Sequence, residues 1–243
     1  MGPLDRPLKR VERAKQHLDD LNEAIAEFLA SEPYYTTREP DPDAEGGFLF
    51  RMHVKAEVPD RVGLIFGDFI HNLRASLDNL VWELAIHRTR RLNFPIARER
   101  PKAPATFAPL LRSSLSPEAF EIIERVQPYH ATDPSDPRIR LAHLNSFWNK
   151  DKHRTTTPVI AANHLGSVWA MGEDPPPYFV LNPGDVSDGK IVGWMPPGQP
   201  NSDREPTFPV LVRFRRHPLV VDASLPSYYE FVREEVFGAF EKS

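Results

Sequence analysis

Residues 67–82 have the sequence Gly-Asp-Phe-Ile-His-Asn-Leu-Arg-Ala-Ser-Leu-Asp-Asn-Leu-Val-Trp, and this stretch decides the fold. Its apolar residues recur at steps of three and four, which is the period of a helix with one buried face. The other face carries five Asp, Asn and His side chains and no Lys: Asp68, His71, Asn72, Asp78 and Asn79. Such residues are poorer helix formers than the Glu, Lys and Gln of ordinary solvated faces. The pattern predicts a bundle helix, over about 58–90, whose polar face is constrained.

The remaining elements follow from the same reasoning. Prolines at 101, 104 and 109 predict an irregular stretch after the long helix. The other patterns predict a helix over about 5–30, a β-hairpin over 34–56, a helix over 116–127, a helix over 138–153, short β-runs from 155 to 216 and a helix over 226–242. Short runs joined by Pro/Gly turns favour antiparallel pairing.

These elements predict one α+β domain over 1–243. It consists of a helical bundle and an antiparallel β-sheet that is built from the hairpin and the C-terminal half. The helical core is expected over about 5–154, the β-rich part over about 155–221 and the C-terminal helix over about 226–242. The apolar residues of the first helix, from Val11 to Phe28, lie close to a coiled-coil seam. This seam predicts packing inside the bundle or against a second copy of the chain.

Composition excludes several functional classes. The 243 residues carry a net charge of -4 and include no cysteine. Disulfides and thiolate chemistry are therefore excluded, and the chain is compatible with the reducing cytoplasm in which we expect it. The sequence contains no run of about 18 apolar residues, so no membrane span is predicted. Neither a P-loop nor a dinucleotide-binding glycine motif occurs, so no cofactor is expected.

A second polar segment, Asn145 to Arg154, carries Asn149, Lys152 and His153 on one side of a predicted helix. We expect it to face the polar side of the 58–90 helix. Four side chains of that helix should then be buried and bonded to one another or to Asn149 and His153: Asp68, His71, Arg74 and Asp78. In the alternative interpretation these polar residues only hold the bundle together through hydrogen bonds. The cations from Lys150 to Arg154 then only stabilise the C-terminal end of their helix through its dipole.

A metal site is not predicted. The step from Asp68 to His71 resembles the carboxylate-x-x-His step of di-metal bundles. Such sites need a second step of this kind and bridging Glu residues. The 138–153 helix instead offers Asn149, Lys152 and His153, and neighbouring lysines repel a cation.

Two segments carry a resemblance to known proteins. His71-Asn-Leu-Arg-Ala-Ser-Leu-Asp-Asn-Leu-Val-Trp82, with Asn149-Lys-Asp-Lys-His-Arg154, resembles a family of uncharacterised proteins from actinobacteria and their phages, whose helix contains H-N-L-R-S-A-L-D-H-L. The R-x-x-x-x-H step of that pattern resembles the Arg–His motif of the HEPN superfamily. This superfamily includes helical-bundle, metal-independent RNases of toxin–antitoxin and phage-defence systems, in which Arg and His act together, often across a dimer. The resemblance implies that Arg74 holds the Arg position.

Asn79 stands where this pattern has its His, and an amide cannot act as a general acid or base. Three hypotheses therefore stay open. The leading one is a binding or regulatory protein of a phage- or defence-related system, with RNA or a protein as partner and a homodimer as its assembly. Its binding residues would be Asp68, Asn72, Asp78, Asn79, Asn149 and Lys152. The second is a metal-independent RNase that uses His71, Arg74 and His153. The third is a structural or assembly protein without a catalytic site.

Overall fold

The computed structural model describes residues 2–102, 107–151, 158–162, 180–181, 184–198, 210–214 and 221–242. It is an α+β protein, as predicted. Its elements in chain order are α1 (Asp5–Ala30), β1 (Tyr34–Pro40), β2 (Phe48–Val54), α2 (Asp60–Leu84), α3 (Pro109–Ser114), α4 (Pro117–Arg125), a 3-10 turn (Pro128–His130), α5 (Ile139–Asp151), β3 (Pro158–Ala162), β4 (Val180–Leu181), β5 (Gly184–Asp185), β6 (Ile191–Met195), β7 (Val210–Phe214), α6 (Val221–Glu230), a π-helical segment (Phe231–Phe237) and α7 (Gly238–Glu241).

The chain forms two compact units. The first comprises Met1–Leu21, Leu64–Thr156 and Ala223–Ser243, and the second comprises Asn22–Gly63 and Thr157–Asp222. The organisation of 1–243 as one domain stays a prediction.

Helix α2 buries the apolar stripe that its sequence period predicts. Eight of its apolar side chains have no exposed surface: Val62, Phe66, Phe69, Ile70, Leu73, Leu77, Leu80 and Val81. The helix ends at Leu84 and not near residue 90. One reason is that the amide of Ile86 donates to the carbonyl of Ser114 at 2.8 Å, so it does not continue the helical hydrogen-bond pattern.

The first unit packs α1, α2, α5 and α6 into a bundle. In α1 the seam residues Val11, Ala14, Leu18 and Leu21 are buried within the single chain, which is the first of the two predicted arrangements. Phe66 of α2 meets Phe147 of α5 edge to face at 5.7 Å. Helix α6 joins α5 through Ser227, whose hydroxyl accepts from Arg140 at 2.9 Å.

The C-terminal helix contains a feature that its sequence period does not indicate. Between α6 and α7 the backbone forms π-helical turns over Phe231–Phe237. The buried residues here are Phe231, Val232, Val236 and Phe237, so buried positions recur at a step of five. This step equals the i→i+5 hydrogen-bond spacing of a π-helix.

Helix α4 begins as predicted. The Ser116 hydroxyl accepts from the Ala119 amide at 3.2 Å, and Pro117 occupies the first turn. Helix α3 was not expected, because its prolines predict irregular structure. Pro109 stands at its start, where the missing amide costs nothing.

The second unit contains antiparallel strands. The predicted hairpin is present, with Tyr34 opposite Val54 and Pro40 opposite Phe48. The strands form two sheets within the described residues, in the orders β1-β2-β6-β4 and β5-β3-β7, whereas we expected one. Two sheets form because β2 pairs with β1 and β6, whereas β3 pairs with β5 and β7. The predicted β-run over 167–171 lies outside the described residues.

A short apolar core supports the first of these sheets. Phe50, Met52, Val192 and Met195 are buried and pack together. At the hairpin, the guanidinium of Arg51 donates to Glu39 at 3.0 Å and to the carbonyl of Gly189 at 2.6 Å. Gly189 has a φ of 77°, a left-handed conformation that glycine adopts without strain.

Two leucines of α2 provide a matched test of the packing. Leu73 is fully buried and Leu64 is 62% exposed. Leu73→Ala should lower the free energy of unfolding by about 3 kcal/mol, because it removes buried methyl groups and leaves a cavity. Leu64→Ala should change it by less than about 0.5 kcal/mol. Urea denaturation followed by circular dichroism measures both, and equal losses would contradict the orientation of α2.

Candidate functional site

The structure divides the predicted site residues of α2 between surface and interior. Arg74 and Asn72 are buried, Asp78 and Asn79 are half-buried, and Asp68 and His71 are exposed. The expectation that Asp68 and His71 are buried is therefore wrong. The reason is helical rotation: at about 100° per residue, His71 lies about 60° and Asp68 about 120° around the helix from Arg74.

The buried guanidinium of Arg74 fixes the backbone of the chain beyond α2. Its Nη2 donates to the carbonyl of Phe94 at 2.9 Å. The amide of Phe94 donates to Oδ1 of Asp78 at 2.9 Å. Arg74 Nη1 lies 3.1 Å from the same carboxylate oxygen. Both backbone groups of Phe94 are thus bonded to one turn of α2. We call this arrangement the Phe94 clamp.

Burial and charge act in opposite directions on Arg74. Burial lowers the pKa of its guanidinium, while the neighbouring Asp78 carboxylate raises it. The guanidinium carbon lies 5.3 Å from the ring centre of Trp148 on α5. Arg74 Nη2 therefore donates to the protein backbone, while its buried Nε and Nη1 make no hydrogen bond with the described residues. The Asp78 carboxylate offsets part of the cost of burying this charge.

Asn72 also has a structural role. Its Nδ2 donates to the Asp68 carbonyl one turn earlier at 2.9 Å, and its Oδ1 accepts from Arg10 of α1 at 3.4 Å. This side chain therefore links α1 to α2 inside the first unit.

One of the three site residues predicted on the 138–153 helix lies within the described residues. Asn149 is exposed on α5, and Lys152 and His153 lie outside the described residues. The contact of α5 with Arg74 is made by Trp148. The sequence pattern places Trp148 among the apolar residues of its helix, and an aromatic ring beside a buried guanidinium is a common arrangement.

A second polar cluster was not found from sequence. Tyr129 Oη donates to Glu124 Oε1 at 2.6 Å, and His130 Nε2 donates to the same oxygen at 2.9 Å. Burial opposes ionisation of Glu124, but these hydrogen bonds outweigh burial and lower the pKa of its carboxyl. Burial and the Glu124 bond raise the pKa of Tyr129. The sequence signal was a Glu in the last turn of α4, followed by Tyr and His across a proline.

A pocket of about 540 Å³ borders this cluster. Three cations contribute to its lining, namely Arg100, Lys102 and Arg112, and they outnumber the two carboxylates of Glu121 and Glu124. The Arg112 guanidinium lies 4.1 Å from the ring centre of Phe120 and is held against this aromatic face. Cationic side chains beside aromatic rings suit a ligand that carries phosphate groups.

The connector between α2 and α3 concentrates positive charge. From Ala85 to Lys102 it contains six cations and one anion, a net charge of +5 in a chain of net charge -4. All six cations are exposed: Arg88, Arg90, Arg91, Arg98, Arg100 and Lys102. A surface of this kind attracts polyanions even when the whole protein is acidic.

No protein-family model, curated protein or solved structure matches this chain. The resemblances to the actinobacterial family and to the HEPN superfamily therefore stay predictions. Within the described residues, no group of three or more His, Asp or Glu side chains is placed to hold a metal ion. None of the helices in the described ranges has both the length and the apolar character of a membrane span.

The Phe94 clamp predicts that substitutions along α2 lower the free energy of unfolding by unequal amounts. Asp78→Ala should lower the free energy of unfolding by about 3 kcal/mol, because it leaves the buried Arg74 charge and the Phe94 amide without their acceptor. His71→Ala should change stability by less than about 0.5 kcal/mol, since His71 is exposed. Chemical denaturation of both variants checks this, and similar losses would argue against the clamp.

Glu124 predicts an acid-dependent contribution to stability. Its folded pKa lies below the ordinary value of 4.5, so its stabilisation is present above that pH and is lost as pH falls through the folded pKa. Glu124→Gln should melt below the wild type at pH 7, and the gap should close as pH falls below 4.5. The exposed Glu121 provides the control. Thermal melts across this range measure the difference, and a gap that widens in acid would contradict it.

Proposed function

We propose that this protein is a non-catalytic binding protein whose ligand is single-stranded RNA. The observation that carries the proposal is the connector from Ala85 to Lys102, whose six cations are exposed and whose path is fixed by the Phe94 clamp. Phosphate groups bind arrays of exposed Arg and Lys, and the release of counterions drives this binding.

The fixed path of the connector supports a defined surface. After Phe94, the amide of Ala97 donates to Gln127 Oε1 at 3.0 Å. Arg98 then donates to the Ala142 carbonyl at 3.0 Å. The cations of the connector therefore project from an anchored backbone, and less conformational entropy is lost when a ligand binds.

The adjoining pocket extends this surface. Arg100 and Lys102 belong both to the connector and to the pocket lining, where they join Arg112. A strand that follows the connector would reach cations on two elements of the first unit. Single-stranded nucleic acid sites commonly combine such a basic track with nearby aromatic side chains.

Binding without cleavage is favoured by the surroundings of Arg74. In the metal-independent RNase hypothesis this arginine would stabilise charge on the RNA backbone. Its guanidinium is buried, donates to the Phe94 carbonyl and forms an ion pair with the Asp78 carboxylate, which keeps it from a phosphate group. Asn79 in the position of the expected His supplies no proton transfer. The resemblance of the α2 and α5 segments supports a HEPN-like bundle and a regulatory role in a phage- or defence-related system.

The test is equilibrium binding to a fluorescent single-stranded RNA of mixed sequence, measured by anisotropy at several salt concentrations. The triple variant Arg90→Gln/Arg91→Gln/Arg100→Gln should weaken binding by about 10- to 100-fold and reduce the salt slope by about 2. EDTA should change neither binding nor RNA length.

A matched control removes three exposed cations of α1, by Lys9→Gln/Arg13→Gln/Lys15→Gln. It changes net charge equally and should keep most of the affinity. An equal loss of RNA affinity in the two triple variants would mean that binding is general electrostatic attraction and would contradict a site at the connector. Shortening of the RNA that persists in EDTA and disappears in Arg74→Ala, while circular dichroism shows that this variant is folded, would support the RNase hypothesis instead.

A further inference from the structure

Two neighbouring pockets lie beside the last part of the connector. The pocket that borders Tyr129, which we call the cation pocket, has a volume of about 540 Å³. A second pocket of about 400 Å³ is lined largely by apolar residues of the connector and α3, among them Ile96 and Leu110, and we call it the apolar pocket. Pro101 and Phe107 line both pockets, so the two adjoin along one wall. A ligand that has a charged group beside a flat apolar part can fill both.

The positive charges of the cation pocket come from two segments and converge near one hydroxyl group. Arg100 belongs to the connector and Arg112 to α3, and Lys102 adds a third cation to the lining. Burial and the Glu124 bond raise the pKa of Tyr129, and the nearby charges of Arg100 and Arg112 act against this rise. Both guanidinium groups therefore lie close to the Tyr129 hydroxyl. Cations that approach from more than one side suit a phosphate group, whose oxygens point in several directions.

Arg112 is held in position without a ligand. Its guanidinium carbon lies 4.1 Å from the ring centre of Phe120 on α4. An arginine above an aromatic face donates from the edge of its guanidinium plane, and phosphate oxygens match this fork of N–H groups. The aromatic contact limits the conformations of the side chain, so less entropy is lost when a phosphate group binds.

Two carboxylates in the lining determine which phosphate group the cation pocket prefers. Glu121 and Glu124 offset two of its three cations and leave a small positive excess. Glu124 Oε1 is bonded to Tyr129 and His130, so this oxygen is directed at the protein. Electrostatic attraction grows with the charge of the ligand. A phosphomonoester carries about 1.5 to 2 negative charges at pH 7 and gains more from the excess than a phosphodiester, which carries about one.

We propose that the cation pocket binds the terminal phosphate group of a single-stranded RNA and that the apolar pocket binds the adjoining base. This inference rests on the proposed function, because the same connector would guide the strand to the two pockets. The cation pocket is a recess with walls from the connector, α3, α4 and the 3-10 turn. Such a recess suits a chain end, since a strand that continued would have to leave it again. The 5′- and 3′-phosphates share this chemistry, and the experiment separates them.

The test compares three RNAs of one sequence, about 12 nucleotides long, that differ only at their ends. One carries a 5′-phosphate, one carries a 3′-phosphate, and one has hydroxyl groups at both ends. Each competes, unlabelled, against an internally labelled strand, and anisotropy gives its Kd. At least one phosphorylated RNA should bind about tenfold or more tightly than the hydroxyl form. Equal affinity for all three RNAs would overturn the inference and leave the proposed function intact, whereas a lack of binding to any RNA would overturn both.

Variants locate the preference, which is the ratio of two Kd values within one variant, so a general loss of affinity cancels. Arg112→Gln should reduce the preference to less than about threefold, because it removes the fork that binds the end group. Lys102→Gln changes an exposed side chain of the same pocket, should also reduce the preference, and serves if Arg112→Gln fails to fold in circular dichroism. Arg125→Gln is the matched control, since Arg125 is exposed on α4 and lines a different pocket. A preference that survives Arg112→Gln and Lys102→Gln, or that Arg125→Gln abolishes, would overturn the inference.

Discussion

The ion pair of Arg74 and Asp78 is the constraint on which the connector and its charged surface depend. Backbone amides and carbonyls that leave water need partners, and a segment without regular structure cannot supply them itself. Here one turn of α2 bonds both backbone groups of Phe94, whose side chain is fully buried. Without this pair, a buried residue in an irregular segment would lose two of its backbone partners at once.

Other side chains continue this arrangement along the connector. Gln127 is fully buried, accepts from the Ala97 amide and donates to the Ile123 carbonyl at 2.9 Å. Arg98 bonds the carbonyl of Ala142. Side chains of α2, the Gln127 side chain after α4 and a backbone carbonyl of α5 thus act as the hydrogen-bond partners that a neighbouring strand would otherwise provide. The result is an irregular segment with a defined path and a cationic outer surface.

The helical part of the fold was predictable because its signal is local. An apolar period of three to four residues determines where α1 and α2 lie, and the Ser116 cap determines where α4 begins. The end of α2 was placed too late, because the Ile86 amide bonds to Ser114, which lies 28 residues further on. The partition of the strands into two sheets likewise depends on contacts between residues that are distant in sequence. Pairing partners distant in sequence decide it, and no short pattern encodes them.

The candidate site was predictable in part. An excess of Asp, Asn and His on α2 indicated constrained side chains, and the Phe94 clamp and Asn72 account for three of the residues on or beside that face. Composition alone could not show that Asp78 is bonded while Asp68 is exposed. The difference arises from their positions around the helix and from Phe94, which lies 16 residues after Asp78 and donates to it. The Glu124 cluster was missed because its Tyr and His follow the helix, where helical spacing rules no longer apply.

The π-helical segment near the C-terminus has a consequence for how this chain can change in length. A turn with i→i+5 hydrogen bonds holds one residue more than the α-helical hydrogen-bond pattern requires. Deleting one residue between Phe231 and Phe237 would let the backbone return to α geometry with α7 close to its present orientation, because the wider turns hold the extra residue without further rotation of the helix. Related chains can therefore be one residue shorter in this segment and keep α7 in place, provided that their buried positions recur at a step of four instead of five.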